Sequence, residues 1–419
     1  MTKGTKQQEE EERKQHRKEV KSQQKEEKKH QKEEKTAAKH APTQTNVAGI
    51  PVGLADPKDD PGREAEVPKS ERRNKAADKT TTSPPSRFSL RMSATWWRSL
   101  QYVGMTMHYL APPRPPSPDF TRTVTSTLSK KHKGGTFTLQ FYTPEGYKSN
   151  KSDRPCPTVV NFHGGGFVLG AGTDDARFGR YVTETAGAIF VSVDYRLAPE
   201  YAFPTAVEDG TDALLYLIRN AASLRIDPMR LATSGFSAGG NICLTSLLRL
   251  GEYKETAGTE SPLPTHRIVA TATWYPTVDY KLSRAERRAT CKRPDQALPS
   301  NLTDLFDASY LYPPDLDLLD PYLSPSQATD ERLARDLPPR ILFYTCEWDM
   351  LLCEGEDLAK RLGRDPIGKD VHYKMIPDVP HSWDKSPNPL KPAEGSEEVY
   401  RDCCEKLKTV FAQEPTTAQ

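Results

Sequence analysis

Ser237 lies in a glycine-rich string that joins an apolar stretch to a helical one. The string Gly235-Phe-Ser-Ala-Gly-Gly240 follows the apolar residues 230–234 and precedes the helical run 241–249. This order predicts a strand, a sharp turn and a helix, with the serine hydroxyl exposed at the turn and the next backbone N–H at a helix N-terminus. Glycines flank the serine because the strand and the helix pass so close that a Cβ would collide. The string alone is a moderate signal for a nucleophilic serine.

A run of three glycines follows another apolar strand. His163-Gly-Gly-Gly-Phe167 comes directly after residues 157–162. Bare backbone there can approach a bound ester and point N–H groups at the oxygen that becomes negative in a tetrahedral intermediate. We expect the second and third glycines to donate such N–H groups together with Ala238, while Gly164 supplies the turn. The candidate oxyanion-hole residues are therefore Gly164, Gly165, Gly166 and Ala238.

Two other interpretations of this loop are weaker. A glycine-rich loop can bind phosphate, but no Lys-Ser/Thr pair follows here as a P-loop requires. His163 belongs to the loop itself. We expect its imidazole to support the loop by hydrogen bonding rather than to act as the catalytic base.

A serine nucleophile needs a base to remove its proton and a carboxylate to fix the tautomer of that base. On this architecture the chain order is Ser, then Asp or Glu, then His. The histidines that follow Ser237 are His266, His372 and His381. His381 occupies a proline-punctuated loop after the strand 370–376, where this fold presents catalytic groups. His372 lies inside that strand and His266 precedes a strand, so we predict that His381 is the base.

The candidate acid follows the expected strand 340–345. Asp349 lies just beyond it, at the edge of the sheet where the serine and histidine loops should gather. Glu347 is too close to the strand, and Glu354 begins the next helix, where the helix dipole alone favours a carboxylate. Asp378 is nearer the histidine in sequence and remains the rival. We predict that Asp349 is the acid.

Several strings together resemble the hormone-sensitive-lipase-like branch of the α/β-hydrolase superfamily. The similarity extends roughly from Thr158 to His381. The strings that carry it are His163 to Phe167, Asp194-Tyr-Arg-Leu-Ala-Pro-Glu200 with Phe203, Pro204 and Asp209, Asp320-Pro-Tyr-Leu-Ser-Pro325, Asp349 to Gly355, and the His-x-aromatic string at His381. The resemblance implies an α/β-hydrolase fold, with a central, mostly parallel sheet flanked by helices and a helical lid. It also carries the acid role onto Asp349 and the base role onto His381.

The sequence departs from that branch at three positions near the site. Phe236 precedes the serine where Asp is usual, and Met350 and Cys353 stand where Pro and Asp are common. None of these changes removes a candidate triad residue or an oxyanion donor. They concern the polarity of the pocket and the choice of substrate.

The beginning of the chain has a different composition from the rest. The 419 residues are 35% hydrophobic, with a mean hydropathy of −0.72 and a net charge of +2. The apolar deficit is concentrated in residues 1–90, which are dense in Lys, Glu, Gln and Arg and then in Pro, Ser and Thr. Such a segment cannot offset its ordering entropy, so we expect a disordered tail or a lone mixed-charge helix. Glu is interspersed among its basic residues, so no nucleic-acid partner is expected.

Apolar residues recur at helical spacing between Ser93 and Leu110, and prolines from Pro112 onward end the pattern. This helix could belong to a lid, pack as an ordinary core helix, or lie on a membrane interface. A second lid component is expected in an insertion at about 277–325. The expected domains are a disordered tail at 1–90, a cap segment at 91–118, a catalytic domain at 119–412 and a C-terminal tail at 413–419.

Strand–helix alternation through the remaining chain predicts a parallel sheet covered on both faces. The sequence shows no secretory signal and no apolar run of about 18 residues. The seven cysteines are odd in number and lack metal-type spacing, which favours free thiols in a reducing cytoplasm.

The expected function is hydrolysis of a small-molecule carboxylic ester with a small to medium acyl chain, through an acyl-enzyme and with no cofactor or metal. The same machinery cleaves amides, so an amide or formamide hydrolase, or a deacetylase, stays open. A non-catalytic receptor is a further alternative, since plant hormone receptors resembling this branch lose the triad histidine; His381 argues against it. An interaction module acting through the charged tail is the last alternative.

Overall fold

The computed structural model describes residues 85–147, 154–257 and 262–413. These residues belong to one compact unit, Asn74–Gln419. The structure does not describe residues 1–84 of the tail expected at 1–90. Residues 414–419 of the expected C-terminal tail also lie outside the described residues.

An eight-stranded sheet forms the centre of the molecule. Its spatial order is β1-β2-β4-β3-β5-β6-β7-β8, in which β1 and β2 pair antiparallel and the strands from β4 to β8 run parallel. The strands are β1 Phe120–Thr125, β2 Thr136–Tyr142, β3 Cys156–Phe162, β4 Ile189–Asp194, β5 Ile226–Phe236, β6 Ile268–Trp274, β7 Arg340–Cys346 and β8 Asp370–Ile376. The mostly parallel sheet confirms the expected fold class.

Helices cover both faces of this sheet. They are α1 Arg87–Leu110, α2 Ala176–Glu184, α3 Thr205–Arg219, α4 Ala238–Ala257, α5 Arg284–Ala289, α6 Ser300–Tyr310, α7 Asp330–Asp336, α8 Leu352–Leu362 and α9 Ser396–Ala412. No helix in the described part of the chain is both long and apolar enough to cross a membrane.

Alternate strand residues enter two separate cores, because successive side chains of a strand point to opposite faces. One core contains Val160, Val191 and Phe343 and packs against α3 and α4. The other contains Val159, Phe190 and Leu342 and packs against α2 and α9. Burial on both faces explains why these strands are continuously apolar instead of alternating with polar residues.

Helix α1 begins earlier than the sequence indicated. It starts at Arg87, so the expected tail boundary at residue 90 lies inside the helix and is wrong for residues 87–90. The Ser86 hydroxyl accepts a hydrogen bond from the N–H of Ser89 at 3.1 Å and caps the helix. Leu90 is buried in the first core, so the first turn has packing to stabilise it.

The insertion at 277–325 contributes helices α5 and α6, and α6 packs against α1. A buried ion pair ties the insertion to the sheet domain, since Nε of Arg287 lies 2.8 Å from the Glu354 carboxylate on α8. Glu354 also accepts the backbone N–H of Val278 at 2.8 Å, at the start of the insertion. The sequence interpretation of Glu354 as a helix-dipole residue therefore missed its main contacts.

Candidate active site

Ser237 occupies the sharp turn between β5 and α4. Its backbone has φ of 54°, a left-handed conformation that is uncommon for a residue with a side chain. The turn is held by a hydrogen bond from the N–H of Ser237 to the carbonyl of Trp274 at 2.8 Å. A Cβ at Gly239 would lie 1.9 Å from the carbonyl oxygen of Phe162. Glycine is therefore required where the helix crosses the neighbouring strand, as the sequence predicted.

The structure brings Ser237, His381 and Asp349 into one hydrogen-bonded chain. Nε2 of His381 lies 2.8 Å from the Ser237 hydroxyl, and Nδ1 lies 2.6 Å from a carboxylate oxygen of Asp349. Both distances are those of direct hydrogen bonds. In this geometry the carboxylate holds a proton on Nδ1, which leaves Nε2 free to accept the serine proton.

Two loops at the carboxyl end of the sheet position the partners of the serine. Asp349 follows β7, and its second carboxylate oxygen accepts the N–H of Leu351 at 3.0 Å. His381 follows β8 and is buried, with the ring of Tyr275 packed edge-on against it at 4.8 Å between centroids. Burial and these contacts limit the orientations that the imidazole can adopt.

The other candidate residues lie elsewhere. Asp378 is exposed, and its N–H donates to the Glu347 carboxylate at 2.9 Å. His372 lies within β8, 3.7 Å from the Asp402 carboxylate. His266 has its Nδ1 2.7 Å from the carbonyl of Pro264. Within the described residues, none of these three hydrogen bonds to Ser237.

The three-glycine loop makes its turn later than expected. Gly165 and Gly166 have positive φ values of 113° and 60°, whereas Gly164 does not. The Gly165 carbonyl accepts the N–H groups of Val168 at 3.1 Å and Leu169 at 2.8 Å, which closes the turn. The expectation that Gly164 supplies the turn is therefore wrong. Gly164 instead lies against the serine turn, where an added Cβ would be 3.5 Å from the Ser237 side chain.

The backbone N–H groups of Gly165, Gly166 and Ala238 form no hydrogen bond within the described chain. All three glycines of the loop line the same cavity as the serine, and Ala238 is the first residue of α4. Unpaired N–H groups beside a nucleophile are suited to receive a developing negative charge.

His163 supports the loop, as the sequence predicted. The ring is buried and stacks on Tyr195 with centroids 4.3 Å apart. Its Nδ1 lies 2.8 Å from the carbonyl of Gly164, and its own carbonyl accepts the Tyr195 hydroxyl at 2.8 Å. These contacts fix the point at which the chain leaves β3.

A cavity of about 250 Å³ opens onto Ser237 and His381. Helix α1 contributes Gln101, Gly104 and Met105 to its wall, and the insertion contributes Leu298, Leu302 and Phe306. Most of these side chains are apolar. The two segments that the sequence indicated as lid components thus line one cavity.

A buried charged cluster beside the site was missed by the sequence analysis. The Lys385 ammonium lies 2.6 Å from the Asp384 carboxylate and 2.9 Å from that of Asp175. Asp384 also accepts the hydroxyls of Tyr275, at 2.6 Å, and of Tyr400. Tyr275 is the residue whose ring packs on His381, so its side chain connects the cluster to the candidate base.

The pKa values in this cluster describe an ion pair. Burial alone would raise the pKa of Asp384. The Lys385 ammonium and the two tyrosine hydroxyls outweigh that effect, so the pKa lies below its ordinary value. Burial alone would lower the pKa of Lys385, but Asp384 and Asp175 raise it well above its ordinary value. Both groups are therefore charged at neutral pH. Within the described residues, no cluster of His, Cys, Asp and Glu is arranged to hold a metal ion.

Comparison with known proteins identifies relatives of this chain. A family model described as alpha/beta hydrolase fold matches residues 159–385. An arylesterase of Saccharolobus solfataricus is 35% identical over 206 residues, covering 49% of this chain and 61% of the relative. Carboxylesterase NlhH of Mycobacterium tuberculosis is 34% identical over 228 residues, covering 54% of this chain and 66% of the relative. An esterase structure from Pyrobaculum calidifontis has a TM-score of 0.61 at 27% identity, covering 77% of this chain and 94% of the other.

The alignments span less than two thirds of the length of the two sequence relatives. The family match nevertheless covers more than half of the chain, and it contains Ser237, Asp349 and His381. The strings quoted from the sequence, the fold of the sheet domain and the family match agree with one another. The chain belongs to the α/β-hydrolase fold family, in its hormone-sensitive-lipase-like branch.

Proposed function

We propose that this protein hydrolyses carboxylic esters of small to medium acyl chains through an acyl-enzyme on Ser237. The observation that carries the proposal is the unbroken hydrogen-bonded chain from the Ser237 hydroxyl through His381 to Asp349. The two sequence relatives are named arylesterase and carboxylesterase, which supports ester hydrolysis as the reaction.

In the first half of the reaction, Oγ of Ser237 attacks the ester carbonyl carbon while Nε2 of His381 takes the serine proton. Asp349 stabilises the resulting imidazolium through its hydrogen bond to Nδ1. The carbonyl oxygen becomes negative and accepts the N–H groups of Gly165, Gly166 and Ala238, each worth about 3–4 kcal/mol in comparable enzymes. His381 then gives its proton to the leaving alkoxide, and the alcohol departs from the acyl-serine.

In the second half, His381 accepts a proton from water, and the hydroxide attacks the acyl carbon. The same N–H groups stabilise the second tetrahedral intermediate. Collapse of this intermediate breaks the bond to Oγ of Ser237, which recovers its proton from His381. The carboxylic acid is released, and the enzyme returns to its starting state without a cofactor.

The cavity supports a limited acyl size. A volume of about 250 Å³ lies slightly below the usual range for drug-sized ligand pockets. Leu298, Leu302 and Phe306 make much of its wall apolar, which suits an alkyl or aryl group more than a charged one.

We propose that the chain divides into an N-terminal tail, a cap segment, a catalytic domain and a cap insertion. The tail expected at 1–90 is shortened to end before Arg87, where α1 begins. The division into cap and catalytic domain is supported by α1 and the insertion, which both line the cavity at Ser237.

All seven cysteines are free thiols, which supports a reducing compartment and a cytoplasmic location. An amidase remains the closest alternative, because the machinery is shared. A receptor is less well supported, since the imidazole of His381 is hydrogen bonded to both of its expected partners.

The test is hydrolysis of a p-nitrophenyl ester series and of matched acyl anilides by the wild type, Ser237→Ala and Ser223→Ala. Ser223 is exposed in the turn that follows α3, so it controls for removal of a serine hydroxyl. We expect Ser237→Ala to lower kcat by about 10⁶ and to abolish labelling by a fluorophosphonate, while Ser223→Ala behaves as wild type. Equal inactivity and equal lack of labelling in all three folded proteins would overturn the proposal, and faster cleavage of the anilides would assign the amidase.

A further inference from the structure

The cavity at Ser237 has a polar end in addition to its apolar wall. Asp174 lines the cavity although only 9% of this residue is exposed, and Gln101 of α1 lines it beside Asp174. The proposed mechanism uses neither side chain. A carboxylate that is nearly buried is costly unless hydrogen-bond donors surround it, so the contacts of Asp174 show what this end of the cavity can bind.

The hydrogen bonds of Asp174 leave one of its carboxylate oxygens unused. Oδ2 accepts the side-chain N–H of Gln101 at 3.0 Å and the backbone N–H of Ala171 at 3.1 Å. Oδ1 accepts no hydrogen bond within the described residues. Because Asp174 lines the cavity, this oxygen can accept a donor from a bound molecule.

The amide of Gln101 also has unused capacity. Its Oε1 accepts the N–H of Gly170 at 2.8 Å and its Nε2 donates to Asp174, so these two bonds fix which amide atom is the oxygen. The second N–H of Nε2 donates to no group in the part of the chain that the structure describes. The polar end therefore presents one free acceptor, Oδ1 of Asp174, and one free donor, Nε2 of Gln101.

Helix α1 holds the polar end in place. Nε of Arg98 donates to the carbonyl of Val168 at 2.9 Å, and the Tyr109 hydroxyl donates to the carbonyl of Thr173. These bonds attach α1 to the segment between the three-glycine loop and Asp174. Polar groups that are already fixed lose little conformational freedom when a ligand binds.

A hydroxyl group matches the two unused atoms better than an ammonium group does. A hydroxyl both donates and accepts, so it can bind Asp174 and Gln101 at once. An ammonium only donates, and it would meet the free N–H of Gln101 and the positive charge of Lys385, which lines the same cavity. Burial raises the pKa of Asp174 to about 6, so above that pH the carboxylate is mostly ionised and acts as an acceptor.

We propose that Asp174 and Gln101 select substrates that carry a hydroxyl group in addition to the ester bond. The inference rests on the proposed function and adds to it the chemical class of substrate, a hydroxy ester instead of a plain alkyl ester. The apolar wall at Leu298, Leu302 and Phe306 takes the hydrocarbon part of the substrate, and the polar end takes its hydroxyl.

The experiment measures kcat/KM of the full chain at pH 8 for pairs of esters that differ by one hydroxyl. In the pair p-nitrophenyl butyrate and p-nitrophenyl 3-hydroxybutyrate, the hydroxyl lies in the acyl group. In the pair propyl butyrate and 3-hydroxypropyl butyrate, it lies in the alcohol. A further ester, 3-(dimethylamino)propyl butyrate, carries a protonated amine in its place. The readout is the ratio within each pair, because a general loss of activity lowers both members alike.

Two substitutions test the role of Asp174. In Asp174→Asn, the N–H groups of Gln101 and Ala171 require the amide oxygen at the position of Oδ2, so an NH2 group replaces the free acceptor. Asp174→Leu removes both polar atoms. Asp315→Asn is the matched control, because Asp315 is exposed and does not line the cavity. Circular dichroism checks that the three variants fold as the wild type does.

We expect the wild type and Asp315→Asn to favour the hydroxy ester by at least about tenfold in one of the two pairs. The preference should fall about fivefold or more in Asp174→Asn and should vanish in Asp174→Leu.

Equal kcat/KM of the wild type within both pairs would overturn the inference, and so would a preference that neither substitution of Asp174 changes. Faster cleavage of the protonated amine ester than of 3-hydroxypropyl butyrate would also overturn it and assign the polar end to a cation. If the wild type cleaves none of the esters, the proposed function itself fails and the inference fails with it.

Discussion

The ammonium nitrogen of Lys385 lies 3.9 Å from the centre of the Phe236 ring. Phe236 directly precedes Ser237, the candidate nucleophile. This position commonly carries Asp in the proteins that the sequence resembles. Here Lys385 already contacts the carboxylates of Asp384 and Asp175 and donates to the Tyr400 hydroxyl at 3.2 Å, and the aromatic face of Phe236 adds a cation–π contact. The departure at Phe236 is thus matched by the charge arrangement around Lys385.

Lys385→Met is expected to destabilise the protein strongly. The substitution leaves the carboxylates of Asp384 and Asp175 buried without their cation, which typically costs about 3–5 kcal/mol. Denaturant unfolding of the variant should therefore show a much lower midpoint than the wild type. Lys391→Met, at an exposed lysine, is the control and should leave the midpoint unchanged. Similar midpoints for both variants would contradict the role assigned to Lys385.

Asp349→Asn should keep the fold and lose most of the activity. An amide at this position can stabilise the wrong tautomer of His381, and the equivalent change in a serine protease lowers kcat about 10⁴-fold. Steady-state kinetics with a p-nitrophenyl ester measure the effect. Asp378→Asn tests the sequence rival at the same time and should retain wild-type kcat. A larger loss in Asp378→Asn would reverse the assignment of the acid.

Gly166→Ala should impair catalysis through contact with Phe306. The added Cβ would lie 2.2 Å from the Phe306 ring, while a φ of 60° costs an alanine only about 1–2 kcal/mol. Adding Phe306→Ala removes the obstructing ring, so kcat/KM should recover relative to the Gly166→Ala single variant.

Gly165→Ala is the matched control for that pair. Its Cβ would lie 2.3 Å from the backbone carbonyl of Leu169, at a φ of 113°. Phe306→Ala cannot relieve a clash with backbone, so no recovery is expected in the Gly165→Ala background. Recovery in both backgrounds would show that Phe306→Ala acts by a general effect on the cavity.

The stability of the protein should fall in acid because of His108 on α1. Burial, with smaller contributions from the nearby charges of Lys385 and Arg177, lowers the pKa of His108 to about 4. The unfolded chain binds this proton near pH 6.5, so between about pH 6.5 and 4 it holds more protons than the folded protein. Protonation therefore favours the unfolded chain, and the free energy of unfolding falls by about 3 kcal/mol as the pH drops from 6.5 to 4.

His108→Gln removes this titration. Unfolding free energies measured between pH 7 and pH 4 should decline less steeply for the variant than for the wild type. Parallel curves for the two proteins would show that His108 does not titrate in a buried site.

The central strands β3 to β7 were predictable because they are largely buried on both faces. Residues 157–162 and 340–345, expected as apolar strands, match β3 and β7 to within one residue. The edge strand β1, Phe120–Thr125, was missed because most of its residues are polar or exposed and it gains its hydrogen bonds only from β2. Apolar continuity was the signal, and β1 does not have it.

The hydrogen-bonded chain at Ser237 was also accessible from the sequence, since each residue follows its own strand and the strand ends meet at one edge of the sheet. The Lys385 cluster was not accessible in that way. Its members come from Asp175, Tyr275, Asp384–Lys385 and Tyr400, and no spacing rule connects these positions. The turn at Gly165 was misplaced for a similar reason, because the choice among three adjacent glycines depends on contacts with Leu169.

The ion pair between Arg287 and Glu354 has a consequence for how such a protein can change its substrate. Glu354 fixes the N–H of Val278, where the insertion leaves the sheet domain, and it shares the segment after β7 with Asp349. Glu354 therefore links the start of the insertion at Val278, its root, to the segment that holds Asp349. Leu298, Leu302 and Phe306 lie farther along the insertion, beyond that root. Substitutions among these wall residues can reshape the cavity while the hydrogen-bonded chain from Ser237 to Asp349 stays in place, so the proposed specificity and the proposed chemistry can evolve on separate parts of the chain.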